Sequence, residues 1–245
     1  MRIARFYCPF HLAVQESFVL PSNLHQHAVR VLRLKIGEPL ILFNGKGGEY
    51  HARLIDCAKR RSRIQIDSFN PIERESTLQS TLALSLIKPD KMDYALQKAV
   101  ELGVSVIQPL ITERSVVRIN KVRLNKKMRH WQAVIQSACE QSGRTRLAQL
   151  STPLTLVDFL AQKSPDDLGL LLSPQANLKL TQITYKEYQK VITLIGPEGG
   201  FSDKEIDGCK RSNCLSIGLG HRILRAETAA SSVLTIIQTL WGDLS

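Results

Sequence analysis

The feature that most constrains the fold of this chain is a change of hydrophobic period near residue 73. Before it, apolar residues form short runs or alternate with polar ones. After it, short apolar runs alternate with stretches whose apolar residues recur every three to four positions. A period of two belongs to half-buried strands, and a period near 3.6 to helices with one buried face. A chain of 245 residues with this switch is expected to form two domains, a small β-barrel over 1–72 and an α/β domain over 73–245.

In the first part, residues 39–43 and 49–55 read as strands. Asn44-Gly45-Lys46-Gly47-Gly48 between them is a hairpin signal, because Asn and Gly accept positive φ. Residues 63–69 alternate as a half-buried strand does, and Leu24, Ala28, Val31 and Leu32 have the spacing of one helix face within 24–34. The polar stretch 70–76 reads as a linker. Beyond it, strands are expected at 82–87, 104–111, 168–172, 191–195 and 215–219. Helices are expected at 88–103, along the stripe from Leu124 to Ala138, and at 155–163, 202–211 and 226–241. Ser202 and Glu205 form a capping box, and Gly103 and Gly143 are helix stops. Strands alternating with helices predict a mostly parallel sheet with helices on both faces, and ligands of such sheets bind beyond the carboxyl ends of the strands.

Two loops fall at that edge. Ile195-Gly196-Pro197-Glu198-Gly199-Gly200-Phe201 follows one strand, and Leu219-Gly220-His221-Arg222-Ile223-Leu224-Arg225-Ala226-Glu227-Thr228-Ala229 follows another. The first has neither the dinucleotide fingerprint nor Walker spacing. It reads either as a tight strand-to-helix turn or as bare backbone for a ligand. The second reads either as a helix start with solvated charges or as a substrate surface with Ile223 and Leu224 as apolar lining. The last helix, with Ala226, Ala229, Ala230, Ser231 and Ser232, suits close packing in the core or a dimer interface.

Composition narrows the partner. Net charge is +11, and residues 1–72 hold eleven Lys and Arg against five Asp and Glu. Such an excess favours a polyanion, nucleic acid first. Arg30 and Arg33 flank Val31 and Leu32, and Lys59-Arg60-Arg61-Ser62-Arg63 is a second basic cluster. The five cysteines are scattered with no C-x-x-C pair, and the six histidines lack companions at ligand spacing, so no metal is expected. No apolar run approaches the roughly 20 residues of a membrane helix. The first ten residues carry Arg2 and Arg5 with no apolar stretch behind them, so a cytoplasmic protein is expected.

The motifs together resemble the RsmE family, the uridine-N3 methyltransferases of small-subunit ribosomal RNA, within the knotted SPOUT superfamily. The matching pieces are Arg30-Val31-Leu32-Arg33-Leu34, Gln97-Lys98-Ala99-Val100-Glu101-Leu102-Gly103-Val104, Glu113-Arg114-Ser115, Glu140-Gln141-Ser142-Gly143-Arg144 and the two loops. The resemblance implies a PUA-like β-barrel before a trefoil-knotted α/β domain, a homodimer, and S-adenosylmethionine (SAM) held by three loops. Those loops carry Leu172 and Ser173; Ile195, Gly196, Pro197, Glu198, Gly199 and Gly200; and Ile217, Leu219, Gly220, Ile223 and Leu224. It implies 16S rRNA or the small subunit as partner, with Arg2, Arg5, Arg30, Arg33, Arg60, Arg61, Arg63 and Arg114 as RNA contacts. Catalysis is expected to rest on Arg225 first and on Arg144 second, the latter reaching the partner subunit's cofactor site. Glu227 would hold the arginine or serve as base. Two other readings stay open: a methyltransferase for another RNA position, and a non-catalytic ribosome assembly factor.

Overall fold

A computed structural model describes residues 3–115, 121–186 and 190–244. The chain forms two compact units. One is Met1–Glu75 together with Cys139–Leu147, the other Ser76–Ala138 together with Ala148–Ser245. The junction lies inside the polar stretch 70–76. The return of Cys139–Leu147 to the first unit was not anticipated from the sequence.

The first unit holds β1 (Ala4–Tyr7), β2 (Ser17–Val19), α1 (Ser22–His25), β3 (Pro39–Phe43), β4 (Glu49–Cys57) and β5 (Ser62–Asn70). They form a five-stranded sheet in the order β1-β3-β4-β5-β2, parallel only between β1 and β3. Phe6, Leu40, Leu42, Leu54, Ile64 and Ile66 fill its core. Ion pairs bind the returning segment. Arg5 pairs with Glu49 and donates to the carbonyls of Gly143 at 3.0 Å and Arg144 at 3.3 Å. Arg74 bridges the same Glu49 at 3.0 Å and Gly143 at 3.1 Å. Arg144 grips Glu75 through two nitrogens.

The helix expected over 24–34 is corrected. After α1 the chain widens into a π-helix, Gln26–Val31, whose i→i−5 bond runs from Leu32 N–H to His27 O at 3.0 Å. The wider turn moves the apolar positions off one face. Leu24 and Ala28 stay buried, but Val31 is 67 % and Leu32 45 % exposed. Arg33 then takes φ +58°, and Leu34 turns back inward.

The second unit begins with β6 (Ser80–Ser85), α2 (Pro89–Glu101), β7 (Val106–Ile111) and α3 (Lys121–Ser142), whose last turn belongs to the first unit. It continues with β8 (Gln149–Leu150), β9 (Leu154–Thr155), α4 (Leu156–Gln162), β10 (Leu168–Leu172), β11 (Val191–Ile195), α5 (Asp203–Arg211), β12 (Cys214–Ile217) and α6 (Ala226–Trp241). The strands form one sheet in the order β12-β10-β11-β6-β7-β8, with β9 also on β7, and every pairing is parallel. The capping box forms, since the Ser202 side chain accepts from Glu205 N–H and the Glu205 carboxylate accepts from Ser202 N–H. Ala229, Ala230, Val233, Leu234 and Ile237 of α6 are buried within the chain, as core packing requires. The strand order leaves β12, β10 and β11 side by side, and their carboxyl ends open on one place.

Candidate active site

A cavity of about 620 Å³ lies at that place, wholly within the second unit. Its volume falls in the range of small-molecule sites. Three loops wall it. The loop after β10 carries Leu172, Ser173, Pro174 and Gln175; the loop after β11 runs from Ile195 to Phe201; the loop after β12 carries Leu219, Gly220, Arg222, Ile223 and Leu224, ending at Arg225.

Each loop is shaped by close backbone packing. Ser173 N–H donates to Ile217 O at 3.0 Å, and Gly218 N–H to Leu178 O at 3.1 Å. A Cβ on Gly218 would stand 2.3 Å from the Ala176 carbonyl oxygen, so only glycine passes there. Gly200 has φ +68° and donates to Pro197 O at 2.8 Å, closing the β11 loop into a turn. Around Gly200 and Gly220 the space a Cβ would meet is open. Both present bare backbone at positive φ, the kind of surface a ligand can approach closely.

The β11 loop is braced from outside. Arg114 Nη1 donates to Gly199 O at 3.0 Å and Phe201 O at 3.3 Å. Buried Glu205 accepts Ser202 N–H at 2.8 Å on one oxygen and Glu113 N–H at 2.9 Å on the other. The turn after β7 is thus tied to the loop after β11. Thr112 and Ser115 fix that turn through hydroxyls 2.8 Å apart.

All thirteen residues expected to touch the cofactor line this cavity, as does Arg225, the exposed N-cap of α6. Leu171, Gln175, Phe201, Asp203, Ile206, Ala226 and Ala229, not expected there, also line it, as does Arg222, which the third loop carries. For Phe201 and Asp203 the sequence carries a signal, since they lie inside or next to the first glycine loop.

Other expected residues lie elsewhere. Glu227 is not part of the lining; its carboxylate is 3.2 Å from Lys91 Nζ of α2. Arg144 belongs to the first unit, its side chain only 6 % exposed against Glu75. Arg5, expected on the RNA surface, is buried against Glu49, because a guanidinium inside the fold needs a carboxylate and carbonyls to replace water. Arg114, also expected to contact RNA, lies at the cavity wall. Arg30, Arg33, Arg60, Arg61 and Arg63 are exposed on the first unit. Arg2 lies outside the described residues.

Among the described residues no cluster of His, Cys, Asp and Glu could hold a metal, and no helix is long and apolar enough to cross a membrane. Burial pushes the Cys8 thiol up to about 12, so it stays protonated at neutral pH. Cys209 and Cys214 share a hydrogen bond inside the core, which raises the thiol of Cys209.

Comparison with known proteins places this architecture. The RNA methyltransferase domain family matches residues 74–238, and the RNA methyltransferase PUA domain family matches residues 26–67. The fold is therefore that of an RNA methyltransferase domain preceded by a PUA domain. A Rickettsia conorii protein named ribosomal RNA small subunit methyltransferase E is 35 % identical over 98 % of this chain and 97 % of its own. The Neisseria gonorrhoeae protein of that name, solved with S-adenosyl methionine bound, is 36 % identical, with a TM-score of 0.93 and full coverage of both chains. A Legionella pneumophila methyltransferase solved in complex with SAM is 38 % identical, with a TM-score of 0.96 and the same coverage. The chain belongs to the ribosomal RNA small subunit methyltransferase E family.

Proposed function

We propose that this chain transfers a methyl group from SAM to N3 of a uridine in 16S rRNA of the small ribosomal subunit. The observation that carries the reading is the cavity itself: three loops from adjacent parallel strands converge on bare glycine backbone, in a chain whose 36 % and 38 % identical relatives hold SAM. The residues present suit that cofactor. Leu172, Ile195, Ile217, Leu219 and Leu224 offer an apolar slot for a flat heterocycle, and the backbone about Gly196, Gly200 and Gly220 offers polar contacts without bulk.

When bound, SAM supplies a methyl already activated by its sulfonium. The chain orients that methyl and favours the nucleophile. Uridine N3 would give up its proton to solvent, and its lone pair would then take the methyl as the donor's C–S bond breaks, leaving S-adenosylhomocysteine. Negative charge then spreads over O2, N3 and O4. Arg225, exposed at the cavity and at the N-terminus of α6, would stabilise it. Arg144 is held by Glu75, so Arg225 takes the role first. Glu227, bridged to Lys91, positions the first turn of α6 beside Arg225. The base edge that is methylated is the pairing edge, so the target uridine is unpaired or splayed out when it reacts.

The N-terminal unit supplies the electrostatic surface through Arg30, Arg33, Arg60, Arg61 and Arg63. The protein acts in the cytoplasm, as a homodimer. Ile223, 85 % exposed at the cavity rim, is the apolar side chain a second copy would cover.

The test is methyl transfer from labelled SAM to small subunits lacking the modification, with the product mapped by reverse transcription. One new stop at a uridine is expected, since N3-methyluridine cannot pair. Label without a stop moves the methyl to another atom. No label on competent subunits overturns the enzyme reading in favour of an assembly factor.

A further inference from the structure

Three features coincide in residues 26–36 that the cavity does not use. The backbone widens into a π-helix at Gln26–Val31, a geometry that recurs at functional sites. Arg33 sits at φ +58°, a conformation disfavoured for a residue with a Cβ. Between and after these, Val31, Leu32 and Ile36 stand 67 %, 45 % and 63 % exposed. The outlier is over-determined by its neighbours: Leu32 N–H reaches His27 O, and Leu34 N–H reaches Ala28 O, each at 3.0 Å. An ordinary α-helix would have kept Val31 and Leu32 on the face of Ala28, inside the core. The π-turn and the left-handed residue together turn two aliphatic side chains outward.

The charges around them decide what covers them. Arg30 precedes Val31, Arg33 follows Leu32 and Lys35 precedes Ile36, and all three cations are exposed. The nearest acid in sequence, Glu38, turns its carboxylate back to accept Lys35 N–H at 2.9 Å. Protein–protein interfaces are enriched in Arg but depleted in Lys, and here three cations, with no acid between them in sequence, bracket three aliphatic side chains. Aliphatic side chains bracketed by cations match a polyanion that also has apolar faces to offer. Stacked bases between phosphates are such a partner, and apolar side chains are known to wedge between base steps while arginines hold the backbone.

We propose that Val31 and Leu32 form a wedge that enters between bases of the substrate rRNA, with Arg30 and Arg33 on the flanking phosphates. This rests on the reading of the chain as an enzyme acting on small-subunit rRNA. The wedge opens the RNA locally, and it differs from the cavity in both unit and chemistry. The basic cluster at Arg60, Arg61 and Arg63 lies beside the base of the same helix, where His25 Nδ1 and Ser62 Oγ are 3.0 Å apart.

The experiment uses the full chain with SAM and unmethylated small subunits. Three proteins are compared: wild type, Val31→Ser with Leu32→Ser, and Arg30→Ala with Arg33→Ala. Affinity is measured across salt, and rRNA base reactivity toward dimethyl sulfate is mapped in each complex. For the serine pair the expected result is affinity lower by about thirtyfold with an unchanged salt slope, because only apolar contact is lost. Bases that become reactive with wild type should return to their unbound state. The arginine pair should lower the salt slope by about two. Unchanged SAM affinity and melting temperature exclude misfolding, and Ile36→Ser provides a second, milder variant with a smaller loss. A serine pair that binds and exposes bases as wild type does overturns the wedge alone. One that binds weakly but leaves the base reactivity of wild type overturns RNA as the occupant and points to a ribosomal protein. Wild type that neither binds subunits nor methylates them overturns the parent reading, and the wedge with it.

Discussion

Arg114 and Gly199 are 85 positions apart, yet Arg114 Nη1 lies 3.0 Å from the Gly199 carbonyl oxygen. One guanidinium nitrogen, shared with the carbonyl of Phe201, spans the loop that turns at Gly200. Removing it leaves the loop free to sample shapes that do not fit the ligand. Arg114→Ala is expected to weaken SAM binding about tenfold, the scale of hydrogen bonds from a charged donor in a partly exposed site. Arg114→Lys should recover part of the loss. Calorimetric titration with SAM measures both, and an Ala variant that binds as wild type does would remove the brace.

Arg225 should show the opposite split. It lines the cavity but is exposed, so its charge is free to act on the substrate. Arg225→Ala is expected to lower the rate of methyl transfer about a hundredfold or more, while SAM affinity changes less than about threefold. A parallel fall in both would make Arg225 a cofactor residue instead.

Glu49 couples stability to pH. Burial alone would raise its carboxyl. Hydrogen bonds from Arg74 and Arg5 and their charges outweigh that and hold it below the usual carboxylate range. A group whose folded value is depressed contributes fully above its unfolded value, and the contribution is lost as pH falls through the folded one. Glu49→Gln leaves Arg5 buried without its counter-charge and is expected to cost about 3 kcal/mol at pH 7. The deficit should shrink as the pH falls below the ordinary carboxylate range. Urea titrations at several pH values give the curve, and a deficit independent of pH would contradict the assignment.

Arg144 and Glu75 form a second clasp in the same unit. Glu75→Ala and Arg144→Ala are each expected to lower stability by about 3 kcal/mol, and the double variant by little more, because each single change already strands a charge. Below the melting transition, methyl transfer by Glu75→Ala should stay near wild type. An Arg144→Ala enzyme that keeps its stability but loses rate would return this arginine to the chemistry.

Much of this was legible in the sequence. The period switch marked the two architectures. The last helix reads as 226–241 because Val233, Leu234 and Ile237 recur on one face, and Ser202 with Glu205 announced the start of α5. The glycine loops located the cavity walls because strand ends in a parallel sheet are where ligands bind. What was not legible depends on contacts distant in sequence. Nothing near Arg114 reveals that its partners are the carbonyls at 199 and 201, and nothing near Arg5 reveals Glu49. The π-turn is invisible for another reason: Leu24, Ala28, Val31 and Leu32 fit an α-helical face, and a periodicity argument has no means of adding a residue to one turn.

The clasp on the N-terminal unit has a consequence for how the molecule is made. Its sheet is complete at Asn70, but the residues that neutralise and cap it, Cys139–Leu147, are synthesised 64 residues after Glu75 at the earliest. At ~5–20 residues per second the unit waits several seconds, with Arg5, Arg74 and Glu49 satisfied only in part. The cavity follows later still, because α6, whose Ala226 and Ala229 line it, is made after every strand of the sheet. A ribosome making this chain therefore carries the N-terminal unit and the parallel sheet before it carries a closed cavity.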